Sequence, residues 1–266
     1  MIETFLLYLA LGAAAGVVAG VFGIGGGVLI VPVLIFAFTL QGLPADVLTH
    51  MAVATSLATI VVTSCSSIWA HHQKGAVEWR LVKWLTPGIL LGSYLGVLVA
   101  VRLDGELLQM IFGVFALLAG IQMYFSIQPK PDPSVLSKLN LSLGGLGVGG
   151  LSVLFGIGGG TINVPFLSWG GVVMQRAVAT AAACGLPIAV VGAATNAVAG
   201  WGYNGLPDWS IGYIYLPAFV GIVLASTFTA RYGALLAHRL SPRTLKRCFA
   251  LFLMSVGVYL LLRNLI

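Results

Sequence analysis

The sequence predicts an all-α polytopic membrane protein made of two inverted repeats of about five helical segments each. Three observations carry this: the composition, an internal repeat and the placement of the basic residues. The chain has 266 residues, of which 59% are hydrophobic and 8% charged, with a mean hydropathy of +1.04. A soluble domain carries about a quarter charged residues, so water is not the solvent this surface suits. Apolar segments recur along nearly the whole chain, and each must be helical, because backbone groups in lipid have to bond within their own segment. The 35 Gly and 11 Pro are common in bundles of membrane helices, where small residues permit close approach. Glu3 stands where a signal peptide would be positive, and no cleavage site follows, so the first apolar run reads as mature membrane helix. Cys65, Cys184 and Cys248 are far apart and predict neither a disulfide nor a metal site. No cofactor is expected.

The repeat organises the chain. Phe22-Gly23-Ile24-Gly25-Gly26-Gly27 recurs unchanged as Phe155-Gly156-Ile157-Gly158-Gly159-Gly160, and Val31-Pro32 and Val164-Pro165 follow at the same spacing. Ala52-Val53-Ala54-Thr55 recurs as Ala177-Val178-Ala179-Thr180, and Trp79 and Pro87 match Trp209 and Pro217. Residues 1–127 therefore form a first transmembrane repeat, 128–139 a Pro-rich linker and 140–266 a second repeat. The apolar segments are about 4–21, 28–40, 50–70, 81–101 and 106–126, then 140–154, 161–174, 177–201, 211–236 and 244–263. The first two of each half are short for a span of about 20 residues. They are either two tilted spans or one re-entrant hairpin around the glycine break, giving 8 to 10 full spans in all.

An odd number of segments per half inverts the second repeat relative to the first, and the basic residues agree. With both termini outside, Lys74, Arg80, Lys83, Lys130, Lys138, Arg176, Arg231, Arg239, Arg243, Lys246 and Arg247 lie inside, and Arg102 and Arg263 outside. The net charge of +6 is then topogenic and calls for no nucleic acid. The expected location is a bacterial cytoplasmic (inner) membrane, crossed many times.

Paired glycine breaks in inverted halves point to a transport site near the midplane. Three glycines stop a helix and expose N–H groups with no Cβ in the way. The helix restarting at Val28 or Thr161 aims its positive end at the break, which makes an anion site without a charged side chain. The competing reading is that the glycines only allow tight packing or a turn. The candidate ligands are Gly23, Gly25, Gly26, Gly27, Gly156, Gly158, Gly159 and Gly160, joined by Thr55, Ser56 and Thr180 and by Thr161 and Asn163, where the first half has Val28 and Ile30. Each hydroxyl has the alternative of bonding its own or a neighbouring helix. His50 and Arg176, just before the two Ala-Val-Ala-Thr blocks, are candidates for vestibule charge or coupling, or simply for helix-end anchors. Gly145, Gly147 and Gly150 fit G-x-G-x-x-G but lie inside an apolar run with no preceding strand, so no nucleotide loop is read there. Glycines four residues apart, Gly12-Gly16-Gly20 and Gly88-Gly92-Gly96, suit close helix crossings.

The doubled F-G-I-G-G-G…V-P, the A-V-A-T blocks and Gly205-Leu206-Pro207-Asp208-Trp209-Ser210 resemble the TauE/SafE sulfite exporter family, also called the toluene sulfonate uptake permease family, over essentially the whole chain. The resemblance implies a secondary transporter whose cargo is a sulfur-containing anion, such as sulfite, thiosulfate or an organosulfonate. The residues alone imply a small anion. Expected partners are that anion, the lipid bilayer, a coupling ion (proton or sodium) and a second copy in a homodimer. The alternatives are a passive anion channel and a membrane enzyme or redox protein of sulfur metabolism. The enzyme reading is disfavoured, because no paired cysteines, paired carboxylates or H-E-x-x-H occur.

Overall fold

The computed structural model describes residues 2–22, 27–125, 130–237 and 242–265. Each expected apolar segment is a helix. The first half holds α1 (Ile2–Phe22), α2 (Gly27–Leu40), α3 (Ala45–Gln73), α4 (Trp79–Ala100) and α5 (Gly105–Phe125). A 3-10 turn at Pro133–Leu136 leads to α6 (Lys138–Leu154), α7 (Gly160–Trp169), α8 (Met174–Ala199), α9 (Leu216–Ala237) and α10 (Pro242–Leu265). A small antiparallel hairpin, β1 (Ser210–Ile211) with β2 (Ile214–Tyr215), precedes α9. The chain is an all-α polytopic membrane protein. Among the described residues, α3, α4, α5 and α8 are each long and apolar enough to cross a bilayer.

The two helices that follow the glycine motifs are short. α2 has 14 residues and α7 has 10, which at ~1.5 Å per residue is about 21 Å and about 15 Å. Neither reaches across a hydrocarbon core of about 30 Å. α3, with 29 residues, is long enough to serve as a wall for both.

Helix pairing is unchanged when the halves are exchanged. α1 packs on α9 and α4 on α6, which is one contact read from either half. α3 packs on α8 and α5 on α10, each helix on its counterpart in the repeat. The spaced glycines make these contacts close. A Cβ on Gly12 would stand 2.7 Å from Ile222 Cα of α9, and one on Gly96 would stand 2.6 Å from Gly150 O of α6. Gly88 and Gly92 meet Ser142 and Leu146 of α6 more closely still, and Gly145 and Gly149 answer from α6 against Leu85 and Ile89. The accidental G-x-G-x-x-G thus belongs to a helix crossing within the fold. Without a hydrophobic drive between helices in lipid, such backbone proximity is what holds a pair together.

Candidate functional site

The second glycine break is built by a helix stop, a two-residue link and a helix start. α6 ends when Gly156 N–H donates to Val153 O at 3.2 Å and Ile157 N–H to Ser152 O at 2.9 Å. That Schellman pattern requires a left-handed residue at Gly156, whose φ is +60°. A Cβ there would also stand 2.9 Å from Val53 Cα, so both backbone and space demand glycine. Ile157 is fully buried beside it, and Phe155 stacks on Phe115 with ring centroids 4.1 Å apart. Gly158 and Gly159 carry the chain to α7, where Asn163 N–H closes the first turn on Gly159 O at 2.7 Å. Among the described residues, no carbonyl outside the helix accepts from the N–H groups of Gly160, Thr161 or Ile162. These are the donors a helix start leaves open.

The link lies deep in the bundle. Gly158 faces Ile60, at the middle of α3, and Gly159 faces Ala181 O and Gly185 N, at the middle of α8. A cavity of about 560 Å³ adjoins it, lined by Gly158, Gly159, Gly160, Thr161, Ser64 and Ser168 among others. It reaches the surface at Pro131, Trp169 and Met174, which are exposed. None of its described lining residues is charged. Among the described residues, Thr161 Oγ1 and Ser168 Oγ are buried without a hydrogen-bond partner, as are both amide atoms of the fully buried Asn163. The Asn163 amide nitrogen would stand 3.0 Å from a Cβ on Gly159. Leaving such groups unsatisfied costs about 1–3 kcal/mol each.

The first break touches the second. A Cβ on Gly27 would stand 3.0 Å from both Gly156 O and Ile157 Cα and 2.7 Å from Ile60 Cδ1. The start of α2 is packed: Gly27, Val28, Leu29, Ile30 and Val31 are all buried. Further out, Tyr8, Phe38 and Tyr215 meet edge to face with centroids 5.8–6.3 Å apart, and Gln41 Nε2 donates to Tyr8 Oη at 2.6 Å. Gly23, Gly25 and Gly26 lie outside the described residues.

The other candidates stand around this centre. Ser56 Oγ donates to Gly156 O at 2.7 Å and so fixes the turn of the second break from α3. Thr55 Oγ1 accepts from Tyr215 N–H at 3.0 Å, and Thr180 Oγ1 accepts from Glu78 N–H at 3.0 Å. Each threonine thus crosses to the other half and receives the last amide before a helix, α9 or α4. His50 is 6% exposed. Its Nδ1 lies 3.1 Å from Asp46 O and its Nε2 3.0 Å from Ala100 O, so it ties α3 to the end of α4. Arg176 is exposed and paired with Glu78. On the side of His50, Tyr203 Oη donates to Asp46 Oδ2 at 3.0 Å, and this bond, with the carboxylate's charge, raises the phenol above its ordinary range. The cavity therefore gathers Gly158, Gly159, Gly160 and Thr161, with Asn163 behind Gly159. Gln122 and Ser168, which also line it, were missed from sequence; Gln122 is legible as one of two amides, with Gln109, in an apolar segment.

A buried glycine break between short and long apolar helices marks a polytopic membrane protein. The chain belongs to the TauE/SafE sulfite exporter family, whose model matches residues 8–260. It is 39% identical to a probable membrane transporter protein of Haemophilus influenzae, over 99% of this chain and 100% of that one. It is 32% identical to a probable membrane transporter protein of Methanocaldococcus jannaschii, over 97% of each, and 25% identical to one of Bacillus subtilis, over 97% of each. No solved structure matches the chain.

Proposed function

We propose that the protein is a secondary transporter that carries a small sulfur-containing anion across the cytoplasmic membrane by alternating access, with the anion held at the second glycine break. The open N–H groups at the start of α7 supply donors, and the helix dipole adds partial positive charge. Thr161, Ser168 and Asn163 supply polar atoms that have no partner among the described residues. Neutral donors bind an anion loosely enough to release it, which a carrier needs, whereas a buried cation would hold it and be costly to bury.

The observation that carries this reading is the cavity at the second break, lined by Gly158, Gly159, Gly160 and Thr161, with buried polar atoms beside it that have no partner among the described residues. A passive channel needs a continuous path, whereas the start of α2, which packs on Gly156 and Ile157, is apolar and buried. With the basic loops inside, the cavity faces the cytoplasm. In an inverted pair of halves, the alternative state would open on the side of α2 and close around α7. The sulfur oxyanion or sulfonate comes from the family; a tetrahedral or pyramidal anion with several acceptor oxygens matches converging N–H and O–H groups.

Uptake into proteoliposomes tests this, with labelled sulfite, thiosulfate and an alkanesulfonate as cargo and acetate as control. Saturable counterflow of a sulfur anion, accelerated by an imposed proton or sodium gradient, is expected. Conductance that rises linearly with concentration, or flux equal for acetate, would overturn it.

A further inference from the structure

A second cavity, of about 670 Å³, lies between the N-terminal ends of α4, α6 and α8. Three helices each place one cation in it: Arg80 from α4, Lys138 from α6 and Arg176 from α8. Glu78 is the carboxylate in its lining and is paired with Arg176. Among the described residues, Arg80 and Lys138 have no acidic partner. Lys138 Nζ instead stands 4.9 Å from the centre of the Trp84 ring. The first turn of α8 carries no side-chain cap, so the open N–H groups at its start add to the positive field. The remaining wall is apolar, formed by Leu81, Leu136, Leu141, Val172 and Val173.

A soluble anion has no use for that wall, and the uncharged cavity beside the glycine break has no counterpart to these cations. We propose that this groove holds the phosphate of an anionic phospholipid headgroup, with the glycerol and upper acyl chain against the apolar wall. Its level suits that ligand: Trp79, next to Arg80, is exposed at a helix end, as interfacial tryptophans are. Basic pockets between membrane helices on the cytoplasmic side select such headgroups by charge. A lipid seated here would bridge α4 of the first half to α6 and α8 of the second. The inference depends on the chain lying in a bilayer and is independent of which solute it carries.

Native mass spectrometry of the protein in neutral detergent tests it, with phosphatidylglycerol and phosphatidylcholine supplied in equal amounts. Wild type should retain phosphatidylglycerol by about tenfold over phosphatidylcholine. Arg80→Gln/Lys138→Gln should retain the two lipids equally. Both side chains are exposed, so folding should persist, and Lys138→Gln alone should lose part of the preference. Arg102→Gln, an exposed cation elsewhere, should keep it all. Equal phosphatidylglycerol retention by wild type and the double variant would overturn the proposal. So would a loss of preference in Arg102→Gln, which would mean that net charge alone decides. Glycerol 1-phosphate that stabilises wild type against heat as well as phosphatidylglycerol does would overturn the lipid assignment in favour of a free phosphate ester.

Discussion

Gly27 and Gly160 hold the same place in the repeat and meet opposite surroundings. Gly27 opens a helix whose next residues, Val28 and Ile30, are buried and apolar. Gly160 opens a helix whose matching residues, Thr161 and Asn163, hold buried polar atoms with no partner, next to a cavity. The motif supplies a helix break in each half. The two residues after it decide whether the helix start is apolar and packed or carries polar atoms beside a cavity. In a repeat protein, the shared residues mark the scaffold and the differences mark the site.

The largest effect should come from filling the packed break. Gly27→Val would drive a side chain into Gly156 O and Ile157 Cα and should cost about 3 kcal/mol of stability, seen as a fall in Tm in detergent. Gly158→Ala at the open break meets the flexible Ile60 side chain at 3.3 Å. It should cost under about 1 kcal/mol while weakening anion binding. Equal losses of stability would erase the contrast between the breaks.

Next in size is an exchange of the polar residues. Thr161→Val should lower anion affinity by about tenfold and raise stability by about 1–3 kcal/mol, because it removes a buried hydroxyl that has no partner among the described residues. Val28→Thr should leave affinity unchanged and cost about 1–3 kcal/mol of stability, because the new hydroxyl is buried in an apolar site. Calorimetric titration and thermal melts read both. The smallest effect belongs to the two threonines that cross between halves. Thr55→Val and Thr180→Val each remove an acceptor from a backbone N–H and should each cost about 1–2 kcal/mol, with affinity kept. A loss of affinity in either would return that hydroxyl to the site.

Much of the fold was legible because lipid leaves a backbone few choices. Every apolar segment had to be a helix, and the short α2 and α7 are visible as short runs between Gly and Pro. The glycine ladders 88-92-96 and 12-16 show up as close crossings because a missing Cβ has one main use in a membrane bundle. The site was legible in part. The glycine pair and the Thr161/Asn163 difference are written in the repeat, and the second break carries both. The roles of Thr55 and Thr180 were not legible, since their partners lie 160 and 102 residues away and a threonine looks the same as ligand or as latch. Nor could the sequence show that the start of α2 is packed while that of α7 adjoins a cavity. That depends on tertiary packing, with Ile60 of α3 against both Gly27 and Gly158.

Asn163 tests the central claim most directly. It is fully buried and, among the described residues, neither atom of its amide has a partner, so its burial works against the fold. Asn163→Leu, a close match in shape, should raise stability by about 1–3 kcal/mol and lower affinity for the transported sulfur anion by at least about tenfold, both measured on one preparation by thermal melt and calorimetric titration. A variant that melts lower than wild type and binds the anion as well would show that the amide serves the fold, and that the anion is held elsewhere.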